Sequence, residues 1–291
     1  MTSTPGNTAD TARLRRPSGI RSLRLGETKV TYVPDGATQL SARGWLPDST
    51  EEFWAAHAEY VDADGWLAAG VGSLLVEHGD RALLIDAGFG PQHWPAEPGK
   101  PYGEIHGGRL LDNLASLGHP ADRIETVAFT HLHLDHTGWA SEEHFPAAAF
   151  LFGETEWEQR EAALATGTTE QKLAEIAPRV RTVAEGEEFF PGVTVLPTPG
   201  HTPGHTAYVI TGGGRRLIAF GDAMHTPVQV TRPEWPSAVD HDGAQAAVHR
   251  GHLVEELRKP GTIGFGNHFA DVVFGRVETD GNGVVWRAVD A

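Results

Sequence analysis

The feature that most constrains the fold of this chain is the six-residue run His-Leu-His-Leu-Asp-His that begins at His131. Residues 126–129 before it are apolar and partly β-branched, which predicts a buried strand ending at the histidines. Side chains alternate along an extended segment, so His131 and His133 lie on one side. Asp135 and His136 are adjacent in sequence, so their side chains must point in different directions. One short loop can therefore supply ligands to two neighbouring cations. The fold must therefore bring further ligands to the end of this strand.

Three later predicted strands supply those ligands. The strands fall at residues 193–196, 216–220 and within 261–268, and the residues that follow or end them are His201, Asp222 and His268. With the first motif they make seven candidate ligands, five His and two Asp, and the sequence contains no Cys. Imidazole and carboxylate favour two divalent metal ions, most readily Zn²⁺, with Mn, Fe or Co as alternatives. Two simpler interpretations remain open: the Pro-Gly segment around His201 is only a rigid turn, and His268 is only a loop residue.

The order of these residues resembles the metallo-β-lactamase superfamily. The similarity runs from about Lys29 to the C-terminus and includes a strand and turn ending in Asp86-Ala87-Gly88. It implies an α/β fold, a four-layer αββα sandwich with the metals at one edge between its two sheets. It also implies that Asp86 orients the ligand loop without binding metal. The implied ligands of one metal are His131, His133 and His201, those of the other are Asp135, His136 and His268, and Asp222 bridges the two.

Details of the sequence favour one branch of that superfamily. The branch of N-acyl-homoserine lactonases and methyl parathion hydrolase shares a long N-terminal arm, a Glu-rich helix such as residues 154–158, and a helix start such as the one from Asp240 to Arg250. The absence of Cys argues against β-lactamases with a Cys ligand, and His133 argues against flavodiiron-type oxygen reduction. In some lactonases a Tyr follows the bridging Asp by three residues, and here that residue is His225.

Length and charge limit the remaining possibilities. We expect a disordered tail over residues 1–19 and one hydrolase domain over residues 20–291, because the candidate ligands tie most of the chain together. No apolar run is long enough to cross a membrane and no signal core is evident, so we expect a cytoplasmic protein. With 39 acidic against 23 basic side chains, the net charge of −16 argues against nucleic acid as a partner and favours a small-molecule substrate. The sequence does not indicate an oligomeric state.

Aromatic residues are dense in the arm between Pro34 and Leu67, where Trp45 is one of five. They either pack the arm on the core or form an apolar surface over the metals for a hydrophobic acyl or aryl substrate. The residues predicted to line that pocket are Trp54, Trp66, Phe89, Trp139 and Met224.

The expected reaction is hydrolysis of a lactone or ester of a hydrophobic acid by a hydroxide that bridges two metals. Asp135 and Asp222 are the candidate catalytic carboxylates, and His225 either donates a hydrogen bond to the reacting oxygens or is only structural. Phosphotriester and thioester hydrolysis suit the same residues. An iron-dependent oxidoreductase resembling persulfide dioxygenases, and a non-catalytic relative, are the alternatives from other classes.

Overall fold

The computed structural model describes residues 8–281 and 283–290, which form two β-sheets packed face to face. The strands of the first sheet are Arg21–Leu25 (β1), Thr28–Ser41 (β2), Trp66–His78 (β3), Arg81–Ile85 (β4), His93–Trp94 (β5), Tyr102–His106 (β6), Thr126–Ala128 (β7), Ala149–Gly153 (β8) and Val180–Val183 (β9). Those of the second sheet are Glu188–Phe190 (β10), Val193–Pro197 (β11), Thr206–Gly212 (β12), Arg215–Ala219 (β13), Thr262–Phe265 (β14), Phe274–Asp280 (β15) and Gly283–Ala288 (β16).

Helices cover the outer face of each sheet. Over the described residues they are Thr8–Leu14 (α1), Ala42–Trp45 (α2), Glu51–Ala56 (α3), Leu110–Ser116 (α4), Leu134–Thr137 (α5), Glu154–Glu158 (α6), Glu170–Ile176 (α7), Val228–Thr231 (α8) and Gly243–Leu257 (α9). The hydroxyl of Thr169 and the carboxylate of Asp242 accept backbone N–H bonds at the starts of α7 and α9, so local sequence fixes where both helices begin.

The sheets have two buried faces because their strands are apolar on both sides. In β3, Leu74 and Val76 belong to the core between the sheets, while Leu75 belongs to the core beneath α4 and α7. Likewise Leu217 in β13 faces the first sheet, and Ile218 packs under α8 and α9. This alternation places apolar side chains in three stacked cores and creates four layers. The predicted αββα sandwich is confirmed.

The strand order gathers several carboxyl ends at one edge. The first sheet runs β5-β6-β2-β3-β4-β7-β8-β9, with β1 on the free part of β2, and the second runs in chain order from β10 to β16. Strands β4, β7, β8 and β9 pair in parallel in the first sheet, and β13 and β14 pair in parallel in the second. Loops that follow β4, β7, β13 and β14 therefore meet between the sheets.

The N-terminal segment differs from the predicted disordered tail. Residues 1–7 lie outside the described residues, but residues 8–14 form α1 and Ser18 is buried, with its hydroxyl 3.0 Å from Asp271 Oδ1. Guanidinium groups of Arg16 and Arg21 also donate to that carboxylate. The prediction of disorder is wrong for residues 8–19. Arginines in a sequence suggest a solvated segment, but here Arg16 and Arg21 bind the buried carboxylate of Asp271.

Candidate metal centre

The candidate ligands come from loops at the shared edge of the two sheets. His131 and His133 follow β7, and the next turn of chain, α5, carries Asp135 and His136. The other three follow β11, β13 and β14, and they are His201, Asp222 and His268. Although as many as 137 residues separate the first from the last in sequence, the fold brings all seven side chains together in two groups.

The first group consists of His131, His133, His201 and Asp222, and all four are buried. His133 Nδ1 lies 3.1 Å from His201 Nε2, which lies 3.4 Å from Asp222 Oδ2. His131 Nε2 is 3.8 Å from the same carboxylate oxygen. Ligand atoms around a tetrahedral zinc with bonds near 2.0–2.1 Å stand about 3.3 Å apart, so these separations suit one cation.

The second group consists of Asp135, His136, Asp222 and His268. Asp222 Oδ1 lies 3.2 Å from His136 Nε2 and 3.1 Å from His268 Nε2. Asp135 Oδ2 is 3.6 Å from each of those imidazole nitrogens. The two oxygens of Asp222 thus face different groups of candidate ligands.

Several ligand atoms have no hydrogen-bond partner among the described residues. They are His131 Nε2, His136 Nε2 and Asp222 Oδ1, and each is buried. Although His136 Nε2 and Asp222 Oδ1 are 3.2 Å apart, that contact does not have the geometry of a hydrogen bond. A buried polar atom without a partner costs roughly 1–3 kcal/mol, and three of them in one cluster need an explanation. Divalent cations satisfy imidazole nitrogen and carboxylate oxygen directly, so the donor set fits a metal centre.

Neighbouring groups fix the orientation of the imidazoles. The Nδ1 atom of His136 lies 2.9 Å from Asp86 Oδ2, that of His201 lies 3.0 Å from Asp240 Oδ1, and that of His268 lies 2.6 Å from a backbone carbonyl, Gly70 O. Each Nδ1–H donates to an oxygen, which leaves the Nε2 lone pair for the centre. This arrangement is typical of histidines that bind metal.

Asp86 links the first sheet to the ligand loop. Its φ of 62° is unusual for a residue other than Gly, and it turns the carboxylate back over the loop. Asp86 Oδ1 accepts a hydrogen bond from Thr130 N at 2.8 Å, while Oδ2 accepts from His136. We propose that Asp86 orients the loop and does not bind metal, as the family resemblance implies.

Burial and charge set the protonation of the group. Burial lowers the pKa of His131 and His133 well below the ordinary value, and neighbouring histidines lower it further. Burial opposes charge on His136, but Asp222, Asp135 and Asp86 raise its pKa well above the ordinary value. Burial raises the pKa of Asp222, yet the surrounding histidines hold it well below its usual range. Neutral imidazole and ionised carboxylate are the forms that bind divalent metal, so the pKa directions of His131, His133 and Asp222 favour binding, whereas His136 must give up a proton when a metal binds.

Sequence analysis did not assign a role to two buried residues that shape the centre. His205 Nε2 accepts the Asp222 backbone N–H at 3.0 Å, and the pKa of His205 falls to about 3 because it is buried. Glu156 accepts hydrogen bonds from Leu132 N and from the Thr202 hydroxyl, and so joins α6 to both ligand loops. The sequence shows the Glu-rich helix that contains Glu156 and the second Pro-Gly-His that contains His205. Nothing in the neighbouring sequence indicates which residues these two side chains contact.

His225 lies beside Asp222 at the inner end of a cavity. Its Nε2 is 3.2 Å from Asp222 Oδ2, and its ring packs edge-on against Trp45 with centroids 4.9 Å apart. Burial lowers the pKa of His225, although Asp222 acts in the opposite direction. A neutral imidazole here has one N–H available to donate.

The cavity opens from the ligand groups toward the β5–β6 hairpin and has a volume of about 400 Å³. Besides metal-facing residues, its apolar lining includes Leu40, Trp45, Phe89, Trp94, Tyr102 and Ile105. Of the residues predicted for the pocket, Phe89 lines it.

The other four residues predicted for the pocket do not line this cavity. Three of them are packed in the protein interior, and Trp66 lies at the start of a strand. Trp54 packs in the arm and donates Nε1–H to Ser49 Oγ at 2.8 Å. Trp139 donates to Asp35 Oδ1 at 2.9 Å. Met224 is fully buried beneath the helices on the second sheet, and Trp66 begins β3 opposite Ser41.

A four-layer αββα sandwich with a buried His and Asp ligand set at its sheet edge defines a metal-dependent hydrolase. The chain belongs to the metallo-beta-lactamase superfamily, whose family model matches residues 69–283. No helix in the described part of the chain is long and apolar enough to span a membrane.

Known proteins similar to the chain agree with that class. An N-acyl homoserine lactonase from a Bacillus species is 32% identical over 254 residues, which cover 82% of this chain and 92% of the lactonase. Among solved structures, AidC, a dizinc quorum-quenching lactonase, gives a TM-score of 0.80 at 21% identity and covers 94% of this chain and 98% of its own. The hydrolase AbOPH gives 0.78 at 24% identity, covering 95% and 99%. At these identities the two structures show a shared fold.

Proposed function

We propose that the chain is a dinuclear metal hydrolase that opens the ester bond of a lactone, or cleaves an ester, of a hydrophobic acid. The observation that carries this proposal is the position of Asp222, whose two oxygens face two separate ligand groups at the inner end of an apolar cavity. The similarity to a Bacillus N-acyl homoserine lactonase supports the choice of bond.

Each cation would have its own set of side chains. His131, His133 and His201 would hold one cation, Asp135, His136 and His268 would hold the other, and Asp222 would give one oxygen to each. Zn²⁺ suits these ligands, and Mn, Fe and Co are alternatives. When bound, such cations polarise a carbonyl oxygen and lower the pKa of water toward neutrality.

The protein side chains orient the reaction. Asp222 would orient the attacking water and pass its proton toward the leaving group, because its carboxylate lies between both ligand groups in the cavity lining. His225, 3.2 Å from Asp222, would donate a hydrogen bond from Nε2 to the oxyanion or the leaving oxygen. Asp135 also lies in the cavity lining, at the exposed side of the centre.

The cavity lining favours a neutral, apolar substrate. Leu40, Phe89 and Ile105 would shield the reacting bond from water, and Trp94 and Tyr102 add further apolar surface to the lining. Burial of a hydrocarbon chain here gains roughly 0.8 kcal/mol per methylene. A phosphotriester is also neutral, so the bond type must be measured.

A panel of substrates with metal analysis on the same sample tests the proposal. We expect about two divalent metals per chain and the highest kcat/KM on acyl lactones, compared with aryl esters, thioesters and aryl phosphotriesters. Efficient phosphotriester cleavage without lactone opening would overturn the choice of bond. One metal per chain under saturating zinc would overturn the dinuclear assignment, and a single iron with no hydrolysis would favour the oxidoreductase alternative.

A further inference from the structure

Glu156 is a buried carboxylate on α6 whose hydrogen bonds go to two loops that carry candidate metal ligands. The residue is 4% exposed. Its Oε1 accepts from Leu132 N at 2.9 Å, and its Oε2 accepts from the Thr202 hydroxyl at 2.6 Å and from Gly204 N at 3.1 Å. A buried carboxylate is costly unless its oxygens are hydrogen-bonded, so these contacts hold the helix and both loops together.

The residues that this carboxylate contacts stand directly beside ligands of the first group. Leu132 lies between His131 and His133, and Thr202 follows His201. Those histidines are the three imidazoles of the first group. Among the described residues, the carboxylate has no hydrogen bond to the loop after β14, which supplies the last ligand of the second group. It therefore joins the two segments that form one of the two groups.

The peptide groups of Leu132 are held by side chains at both of their polar atoms. Thr168 is buried and its hydroxyl donates to Leu132 O, while Glu156 accepts from Leu132 N. The side chain of Leu132 is fully buried in the core under the helices of the first sheet. The residue between two ligands thus cannot shift without loss of a buried hydrogen bond.

Close packing prevents α6 from following a displaced loop. A Cβ at Gly204 would stand 2.0 Å from Glu156 N, so the first turn of the helix rests on the loop after β11 with no room for a side chain. Both contacts of the carboxylate are therefore made from a helix in a fixed position.

We propose that Glu156, together with Thr168, is a positioning residue that sets the metal affinity of the first ligand group and leaves that of the second group nearly unchanged. This proposal rests on the two-metal part of the proposed function and is independent of the bond that is hydrolysed.

A carboxylate is required at this position because donors meet both of its oxygens. The N–H of Leu132 faces Oε1 and the N–H of Gly204 faces Oε2. Gln has one acceptor oxygen, and its NH₂ group would meet an N–H donor in either orientation. Glu156→Gln therefore releases one of the two loops without a change in side-chain size.

The test measures metal affinity in two backgrounds that each leave one ligand group intact. His268→Ala removes a ligand of the second group alone, and His131→Ala removes one of the first group alone. In each background, the Kd for Zn²⁺ is measured by competition with a chromophoric chelator, with and without Glu156→Gln. The matched control is Glu158→Gln, the same substitution at an exposed position of the same helix.

We expect Glu156→Gln to raise the Kd by about 10-fold in the His268→Ala background and by less than about 2-fold in the His131→Ala background. Glu158→Gln should change neither value. Equal losses in both backgrounds would overturn the proposal, because the carboxylate would then support only the general fold. An unchanged Kd in both backgrounds would overturn it as well.

Thr168→Val keeps the proposal testable if Glu156→Gln does not fold. Val keeps the branched shape and removes the hydroxyl that donates to Leu132 O. We expect a higher Kd for Zn²⁺ in the His268→Ala background alone, and an unchanged or equally raised Kd in both backgrounds would overturn the proposal.

The affinity measurement uses no substrate, so its failure can be distinguished from failure of the proposed function. A wild type that binds two metals and opens neither lactones nor esters would overturn the proposed reaction alone. A His268→Ala variant that binds no Zn²⁺ would overturn the positioning role, because the first group would then not be a site of its own.

Discussion

Asp240 accepts a hydrogen bond from His201 Nδ1 at 3.0 Å, and this contact determines which nitrogen of His201 faces the metal centre. The same carboxylate pairs with the fully buried Arg250, whose Nη2 is 3.3 Å away. Arg250 also donates to three backbone carbonyls, beginning with that of Ala223 beside Asp222. Burial raises the pKa of Asp240, but His201 and Arg250 outweigh it and hold the pKa far below the ordinary value.

We expect Asp240→Asn to weaken metal binding by roughly 10- to 100-fold, because an amide can present either N–H or oxygen to His201 and no longer fixes its tautomer. Competition with a chromophoric chelator measures the affinity. Asp242→Asn is the matched control, since Asn caps α9 as well as Asp does. Wild-type affinity in Asp240→Asn would show that the contact does not orient His201.

His225→Phe tests the donor role of His225. Phe keeps an aromatic ring against Trp45 but removes both ring nitrogens, and loss of one donor to the developing oxyanion should lower kcat about 100-fold. Metal content should stay at the wild-type value, since His225 belongs to neither ligand group. The measurement is kcat for lactone opening together with elemental analysis. A loss of metal in parallel with activity would instead place His225 among the ligands.

Local signals in the sequence were sufficient to find the seven candidate ligands. Each lies in the segment that follows a short apolar strand, and such strands remain recognisable because both of their faces are buried. The strand at 126–129 and a helix starting between Asp240 and Arg250 were likewise predictable, and the structure has them at Thr126–Ala128 and Gly243–Leu257.

Partners that lie far apart in sequence could not be predicted. Asp240 is 39 residues from His201, and no periodicity connects them. Asp35 shows the same limit, because its carboxylate accepts from Phe89 N, Leu110 N and Trp139 Nε1, which are distant in sequence. The pocket prediction is correct for Phe89 but not for Trp54 and Trp139, for a related reason. Aromatic side chains are common in binding surfaces, but the indole N–H groups of these two donate to acceptors in the protein interior.

The buried carboxylate of Asp271 gives a prediction for acid stability. Burial raises its pKa, but hydrogen bonds from Arg16, Arg21 and Ser18 outweigh burial and hold the pKa below the ordinary value. Because the pKa is lower in the folded than in the unfolded chain, this group stabilises the fold above the unfolded value of about 3.9. That stabilisation is lost as pH falls through the folded value.

We therefore expect Asp271→Asn to lower the free energy of unfolding by about 1–3 kcal/mol at neutral pH, with the difference from wild type shrinking below about pH 4. Urea unfolding across that range, with chelator present throughout so that metal release does not contribute, measures both quantities. The control is Asp290→Asn, whose exposed pairs with Arg13 and Arg21 should contribute less than about 1 kcal/mol. A difference that is constant with pH would contradict the ionised role of Asp271.

Gly138 follows the metal-ligand turn and packs against the backbone of Phe89. A Cβ at this position would stand 2.0 Å from the Phe89 carbonyl carbon, and backbone cannot yield as a flexible side-chain end can. Phe89 also lines the cavity, and its backbone N–H is fixed by Asp35 at 2.8 Å. Any shift that relieves the overlap therefore moves a residue that lines the cavity.

We expect Gly138→Ala to lower the free energy of unfolding by about 1–3 kcal/mol or more, as overpacking of a dense region does, and also to raise KM for the lactone. Gly251→Ala is the control: Gly251 lies inside α9, where an added Cβ meets no atom within 4 Å, so Ala should raise stability by about 0.5–1 kcal/mol. Urea unfolding with excess zinc and steady-state kinetics on both variants decide the matter. If Gly138→Ala matched Gly251→Ala in stability and KM, the close packing of the ligand turn on Phe89 would not constrain the cavity.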